Sequence, residues 1–279
     1  MASLAAFLSA APFHAALAQT APSMGAASSF SVLGGTAVSC TTSVVIGDLG
    51  VSPGSVFANV GPCTIAGTTH LNDQAAVNAR AAFLGAFDVL APQAGDCDTA
   101  HTLLSTIPAS RTLFPGTYCT GAALTATGVT LTLDGNGESN PVWIFKIGAG
   151  FTGSSFSVVM ANGGQACNVF WRVGAGVEMT DSALKGNVLA GAAIGGSITM
   201  TRGSLAGRAL ANVAVTMTDT SIIGCAALKA PKDKNRCEAD DDDKNDHDKD
   251  HDKDHDKDHD KKDKDHDKKD KDQEDKSRS

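Results

Sequence analysis

The chain has 279 residues, 42% hydrophobic but only 5% aromatic, with 29 glycines and a formal net charge of −8. Residues 231–279 alone carry 21 acidic and 15 basic side chains, which leaves ten acids and eight bases for everything before them. A body so nearly neutral offers phosphate no basic patch and excludes nucleic acid and anionic membrane as natural partners. Its roughly 200 residues are enough for one core, so a single domain with appendages is expected.

The N-terminus, MASLAAFLSAAPFHAALAQT, is apolar and reaches Ala16-Leu17-Ala18 before Gln19, the small-x-small pattern of a signal peptidase site. Residues 1–18 are therefore expected to be a signal peptide and the mature chain to be secreted, although the usual basic n-region is missing. Residues 19–28 read as a short linker. No other apolar run reaches the ~20 residues that span a bilayer. Residues 29–66 alternate apolar and small polar residues in short runs broken by Gly and Pro, the pattern of short strands with tight corners. Residues 29–50 are expected to supply an end cap for whatever these strands build.

Residues 71–91 change character. Asn72 or Asp73 can cap a helix, and Ala76, Ala79, Phe83, Phe87 and Leu90 recur at helical spacing on one face. Such a helix has to lie along a sheet to hide its Phe stripe. After a loop containing TLFPGTYC (112–119), strands are expected at 124–133, 141–148, 156–160 and 168–174, with Trp143 and Trp171 in the core or under the helix.

Towards the end of the body the chain repeats itself: MTDSALKGNVLA from Met179, MTRGSLAGRALA from Met200 and MTDTSIIG from Met217. Met179, Leu184 and Gly186 recur as Met200, Leu205 and Gly207 and as Met217, Ile222 and Gly224, at intervals of 21 and 17 residues. These intervals are too long for a hairpin and too irregular for a helical array, but they suit successive turns of a β-solenoid. Stacked turns bring equivalent Thr residues into register about 4.7–4.9 Å apart, so a flat, regularly spaced Thr surface is expected.

Seven cysteines fit an oxidising compartment. Six can pair in fifteen ways; the pairs Cys40 with Cys63, Cys97 with Cys119 and Cys167 with Cys225 each bracket adjacent coils or a loop base, leaving Cys237 alone. The segment from about residue 230 is built on HDKD repeated every four residues and holds almost no apolar side chain, so residues 230–279 are expected to be disordered. Its His247, His251, His255, His259 and His266 stand beside Asp and offer loose ligands for Zn²⁺ or Ni²⁺, but a solvated spacer is the preferred reading.

The runs FSVLGGTAVS, VVIGDLGVSPG, CTIAGTTHLNDQAAVNARAAF, LFPGTYC, LTLDGNGESNPVWIFKIG, NGGQACNVFWRVG, LKGNVLAG and GSLAGRALA, over about residues 29–225, resemble the microbial ice-binding protein family. The resemblance implies a mainly β fold: a right-handed, discontinuous parallel β-helix of triangular section, residues 29–229, with one long helix alongside. It also implies adsorption to an ice surface through one flat β-face. The family's ice-side motif is Thr-Ala/Gly-x-Thr/Asn at successive coil corners. Matching positions here are Thr152 to Ser155, Thr180 to Ala183, Thr201 to Ser204 and Thr218 to Ser221. The site carried over is Thr152, Ser155, Thr180, Thr201, Ser204, Thr218 and Thr220, extended by Thr125 and Thr127. Asp181, Arg202 and Asp219 depart from the motif, and a charge on a flat face keeps its own hydration shell. The ladder survives if those side chains turn toward a neighbouring face, where they form a cross-coil ladder instead.

Catalysis is not expected, because the body's acids are scattered singly rather than clustered for acid/base work. Neither a cofactor nor an oligomer is implied. The alternative to ice adsorption is a non-catalytic envelope or matrix adhesion module, its hydrated tail tethering the domain to a cell-surface or extracellular polymer.

Overall fold

A computed structural model describes residues 19–97, 101–191 and 195–229. The segment 1–18 expected to be a signal peptide, and the tail with Cys237 and its histidines, lie outside the described residues.

Short strands joined by tight corners wind the chain into three-sided coils. The first coil is β1 (Phe30–Gly34), β2 (Ala37–Thr41) and β3 (Val44–Ile46); the second is β4 (Asp48–Val51), β5 (Val56–Asn59) and β6 (Thr64–Ala66), followed by β7 (Thr69–Leu71). Helix α1 (Gln74–Val89) then interrupts the winding. It resumes with β8 (Thr106–Ile107) and β9 (Arg111–Leu113), then β10 (Gly116–Thr120), β11 (Leu124–Thr127) and β12 (Thr130–Asp134), then β13 (Trp143–Ile147), β14 (Phe151–Ser154) and β15 (Ser157–Ala161). The last turns are β16 (Val169–Val173), β17 (Val177–Thr180), β18 (Ala183–Ala190), β19 (Ile198–Ala211) and β20 (Ala214–Ile223), with the short α2 (Cys225–Lys229) closing the series. Strands β18 and β20 each run across one corner and serve two faces, while β19 runs across two corners and serves all three.

The twenty strands of the described residues join in one parallel sheet, but the coils do not stack in chain order. The final turns dock on the first coil: Val32 pairs with Ala209, Thr41 with Thr218 and Val45 with Ile222. Residues 29–50, expected as an end cap, therefore lie inside the stack. The ends are β5, β6 and β7 on one side and β8 and β9 on the other. Burial explains the choice, because capping with β1 would leave the last turn's Val215, Met217 and Ile222 open, whereas docking buries all three completely.

The interior is a stack of inward side chains. Tyr118 lies over Phe145, with centroids 5.5 Å apart, and Phe145 over Trp171 at 3.9 Å, so one position of three successive coils forms an aromatic column. Both tryptophans are fully buried, and their indole N–H groups donate to the carbonyls of Leu113 and Lys185.

Helix α1 begins at Asp73, whose carboxylate accepts from the Ala76 N–H at 2.9 Å. That bond, with the His70 side chain, holds Asp73 below the usual carboxylate range. Sixteen residues make a rod of about 24 Å, the height of roughly five coils. The rod covers one face of the solenoid: Phe83, Ala86, Phe87 and Leu90 pack on Leu33, Ile144, Phe170, Leu189 and Leu210. Arg172 adds its guanidinium over the Phe87 ring at 4.1 Å. Beyond the helix, Lys146 donates to Asp96 at 2.7 Å and to the Ala91 carbonyl at 3.2 Å, fixing the returning loop.

Part of the segment expected as a linker is built into this layer. A 3-10 turn at Gly25–Ser28 buries Met24 and Ala27 against the helix. Its Ser28 carbonyl accepts from buried Arg208 at 2.6 Å, while Arg208 also donates to Asn187; burial pushes that guanidinium down to about 10. Among the described residues, the disulfides are Cys40–Cys63, Cys97–Cys119 and Cys167–Cys225, which tie coil to coil, the helix exit to β10, and α2 to the turn before β16.

Truncating the helix anchor tests this layer. Phe83 is fully buried, so Phe83→Ala is expected to cost about 3–5 kcal/mol, read as a lowered denaturant midpoint with an unchanged slope.

Candidate functional site: a threonine-bearing face

One face carries no helix and displays mostly short side chains. It is formed by β8, β11, β14, β17, the first parts of β19 and β20, β2 and β5. Alternation sends Leu124 and Ala126, Phe151 and Gly153, Val177 and Met179, Ile198 and Met200, and Val215 and Met217 inward. Gly153 is required by what lies beneath it, since a Cβ there would stand 2.5 Å from the Met179 sulfur.

The residues between these point outward in two columns. Thr106, Thr125, Thr152, Glu178, Thr199, Thr216 and Ser39 are successive register partners in one. Thr127, Ser154, Thr180, Thr201, Thr218 and Thr41 form the other. Hydroxyls therefore repeat about every 4.8 Å across the strands and about 6.6 Å along them. A Thr side chain on a strand has restricted χ1, so methyl and hydroxyl hold fixed positions; Thr106 and Thr125 are linked hydroxyl to hydroxyl at 3.0 Å.

The edge of this face is a sharp corner repeated from coil to coil. Gly128, Ser155, Asp181, Arg202, Asp219 and Thr42 occupy it, all with φ between 45° and 62°. Only glycine takes that conformation freely; Asp tolerates it, while Ser155, Arg202 and β-branched Thr42 hold it against a steric cost. The next residue turns inward and is small where it would strike a neighbouring coil: a Cβ on Gly203 would lie 2.3 Å from the Ser182 carbonyl oxygen. Buried Ser43, Ser182 and Thr220 donate to the carbonyls of Thr41, Thr180 and Thr218 at 2.8–2.9 Å. Ser43 and Ser182 also accept from the N–H groups of Thr220 and Phe156. This internal rail satisfies backbone groups the corner exposes to the core.

Outside the corner, Arg202 forks onto Asp181 at 2.8 and 3.0 Å. The Arg202 hydrogen bond holds Asp181 below the usual carboxylate range, and Asp181 in turn raises Arg202. These charges stand at the corner, in neither column.

The residues expected from sequence thus separate. Thr125 and Thr152 lie in the first column, and Thr127, Thr180, Thr201 and Thr218 in the second. Ser155 is a corner residue; Ser204 lies on the third face, paired with Ala183 and Ser221. Thr220 is only 3% exposed, because the residue after each corner turns inward. Three of the four aligned motifs stand in register at Thr180, Thr201 and Thr218, but the first is displaced by two residues. Thr152 pairs with Glu178, and it is Ser154 that pairs with Thr180. A strand shows outward every second residue, and the Thr-x-Thr triplets at 125–127, 199–201 and 216–218 carried that signal. Read that way, they would have supplied Thr106, Ser154, Thr199, Thr216, Ser39 and Thr41, and would have exposed Glu178 as the charge on the face.

Fold and site together define a discontinuous parallel β-solenoid that displays a repeating hydroxyl surface beside a covering helix. The profile of the Ice-binding-like family matches residues 32–223, and the chain belongs to that family. An ice-binding protein of Nostoc sp. (strain HG1) is 35% identical over 169 residues, 60% of this chain and 61% of the relative, so the chain spans less than two thirds of that relative's length. Among solved structures, an ice-binding protein from the Antarctic ascomycete Antarctomyces psychrotrophicus superposes with TM-score 0.66 at 32% identity, covering 73% of this chain and 98% of that one. An ice binding protein from an Antarctic biological consortium gives 0.65 at 28% identity, covering 77% and 96%.

The corner conformation is testable at Asp219. Its positive φ makes Asp219→Val destabilising by about 1–2 kcal/mol, while Asp219→Gly leaves the melting temperature at or above the parent value.

Proposed function

We propose that this protein is a secreted, non-catalytic ice-adsorbing protein that works through the threonine-bearing face. The observation that carries the reading is the continuous second column, in which Thr127, Ser154, Thr180, Thr201, Thr218 and Thr41 repeat without a charge.

An ice surface is a regular array of hydrogen-bonding oxygens. Single contacts with it are weak against water, so affinity has to come from many contacts made together without ordering the protein afterwards. The solenoid supplies that order in advance: each Thr is fixed by a parallel ladder, each methyl restricts nearby water, and each hydroxyl donates and accepts. The names of the Nostoc relative and of the fungal and consortium structures support the same reading. The composition of residues 231–279 supports a hydrated spacer, and removing them is expected to leave adsorption intact.

Purified residues 19–279 are expected to shape ice crystals, open a gap between melting and freezing, and slow recrystallisation. Thr201→Tyr places a large ring in the middle of the second column and is expected to abolish crystal shaping while leaving the melting curve unchanged. Round, freely growing crystals from the parent protein would overturn the reading and leave surface adhesion in its place.

A further inference from the structure

The sequence draws attention to Asp181, Arg202 and Asp219, but the charge that stands on the face is Glu178. It occupies the first column between its register partners Thr152 and Thr199, with Thr125 and Thr106 beyond one and Thr216 beyond the other. It is the only ionisable side chain in either column. Its neighbours in the strand, Val177 and Met179, are buried at 1% and 2% exposure, so the pleat holds Glu178 outward, and it is exposed.

The two kinds of charge differ in their partners. At the corner, Arg202 forks onto Asp181, and each charge is answered at hydrogen-bond distance. Among the described residues, no hydrogen bond or ion pair reaches the Glu178 carboxylate. An unpaired carboxylate meets its solvation need from water alone, and water held around a negative charge is oriented by that charge rather than by a lattice. Removing it is costly. The surrounding Thr ladder asks the opposite of its water, a regular array continuous from coil to coil.

We propose that Glu178 is an attenuating residue of the ice-adsorbing face, which interrupts the first Thr column at its centre and limits how strongly the protein holds ice. The inference rests on the proposed function above. The column is otherwise complete on both sides, so one substitution restores an unbroken run from Thr106 to Thr216. The fold accommodates it, because Thr at an exposed strand position is favoured and both register partners are already Thr.

The test compares four single variants of residues 19–279 at equal concentration, with melting curves as the fold control. Glu178→Thr is expected to raise thermal hysteresis and recrystallisation inhibition by about twofold or more, given the cost of dehydrating an unpaired charge. Glu178→Gln, which removes charge but not bulk, should give an intermediate rise. Glu178→Lys should give none, because the obstacle is the hydration of a charge of either sign. The fourth variant, Thr201→Tyr, separates the two proposals. If it abolishes activity while Glu178→Thr leaves activity at the parent level, the attenuating role is wrong and the ice face stands. If Thr201→Tyr and the parent behave alike, the face itself is wrong. A rise with Glu178→Lys equal to that with Glu178→Thr would also overturn the proposal, since charge hydration would not then be the cause.

Discussion

Everything in this protein depends on the parallel register between neighbouring coils. Each strand gives its backbone donors and acceptors to the coil on either side, and that obligation fixes which residues stand above one another. The aromatic column of Tyr118, Phe145 and Trp171, the rail of corner hydroxyls and the two outward Thr columns are all consequences of the same ladder. A slip of one residue would send Met179, Met200 and Met217 outward and bury the Thr residues, so core and surface are specified together.

The three faces solve three different problems. One is strongly apolar and is hidden by α1 and the N-terminal turn, with Arg208, Arg172 and Lys146 fastening the cover through hydrogen bonds to backbone carbonyls. The second stays bare because its outward side chains are mostly short and hydroxylated and, apart from Glu178, uncharged; only its β5 end, with Val56 and Ala58, lacks the hydroxyls. The third mixes Ser, Thr, Ala, Val, Ile and Lys from coil to coil, including exposed Val44 and Val159, and repeats no residue type over the full height. Only the second face combines regular spacing with regular chemistry, and it is the face opposite in character to the one the helix needs.

Glu178 shows how a charge acquires meaning from its place rather than its type. Asp181 and Glu178 are three residues apart, yet the corner turns one toward Arg202 while the pleat holds the other on the flat surface. A charged side chain at a corner stabilises the stack modestly through its neighbour. On the face it competes with the array around it for water.

Much was legible in the sequence because it depends on local pattern. The Met-Thr repeat announced stacked coils, the Phe83 and Phe87 spacing announced a helix with a side to hide, and the six paired cysteines bracket segments that do lie side by side. Family motifs and composition gave the class of fold for the same reason: a solenoid rewrites similar local constraints in every coil. What the sequence left undecided is non-local. That the first coil lies inside the stack rather than at its end follows from the burial gained when the last turn docks on it, 177 residues later in the chain. Whether Ser155, Ser204 and Thr220 belong to the face, and whether Asp181 or Glu178 interrupts it, turns on a corner placed within one residue. Composition and spacing are blind to that distinction. Backbone dihedral angles and the hydrogen bonds between coils decide it.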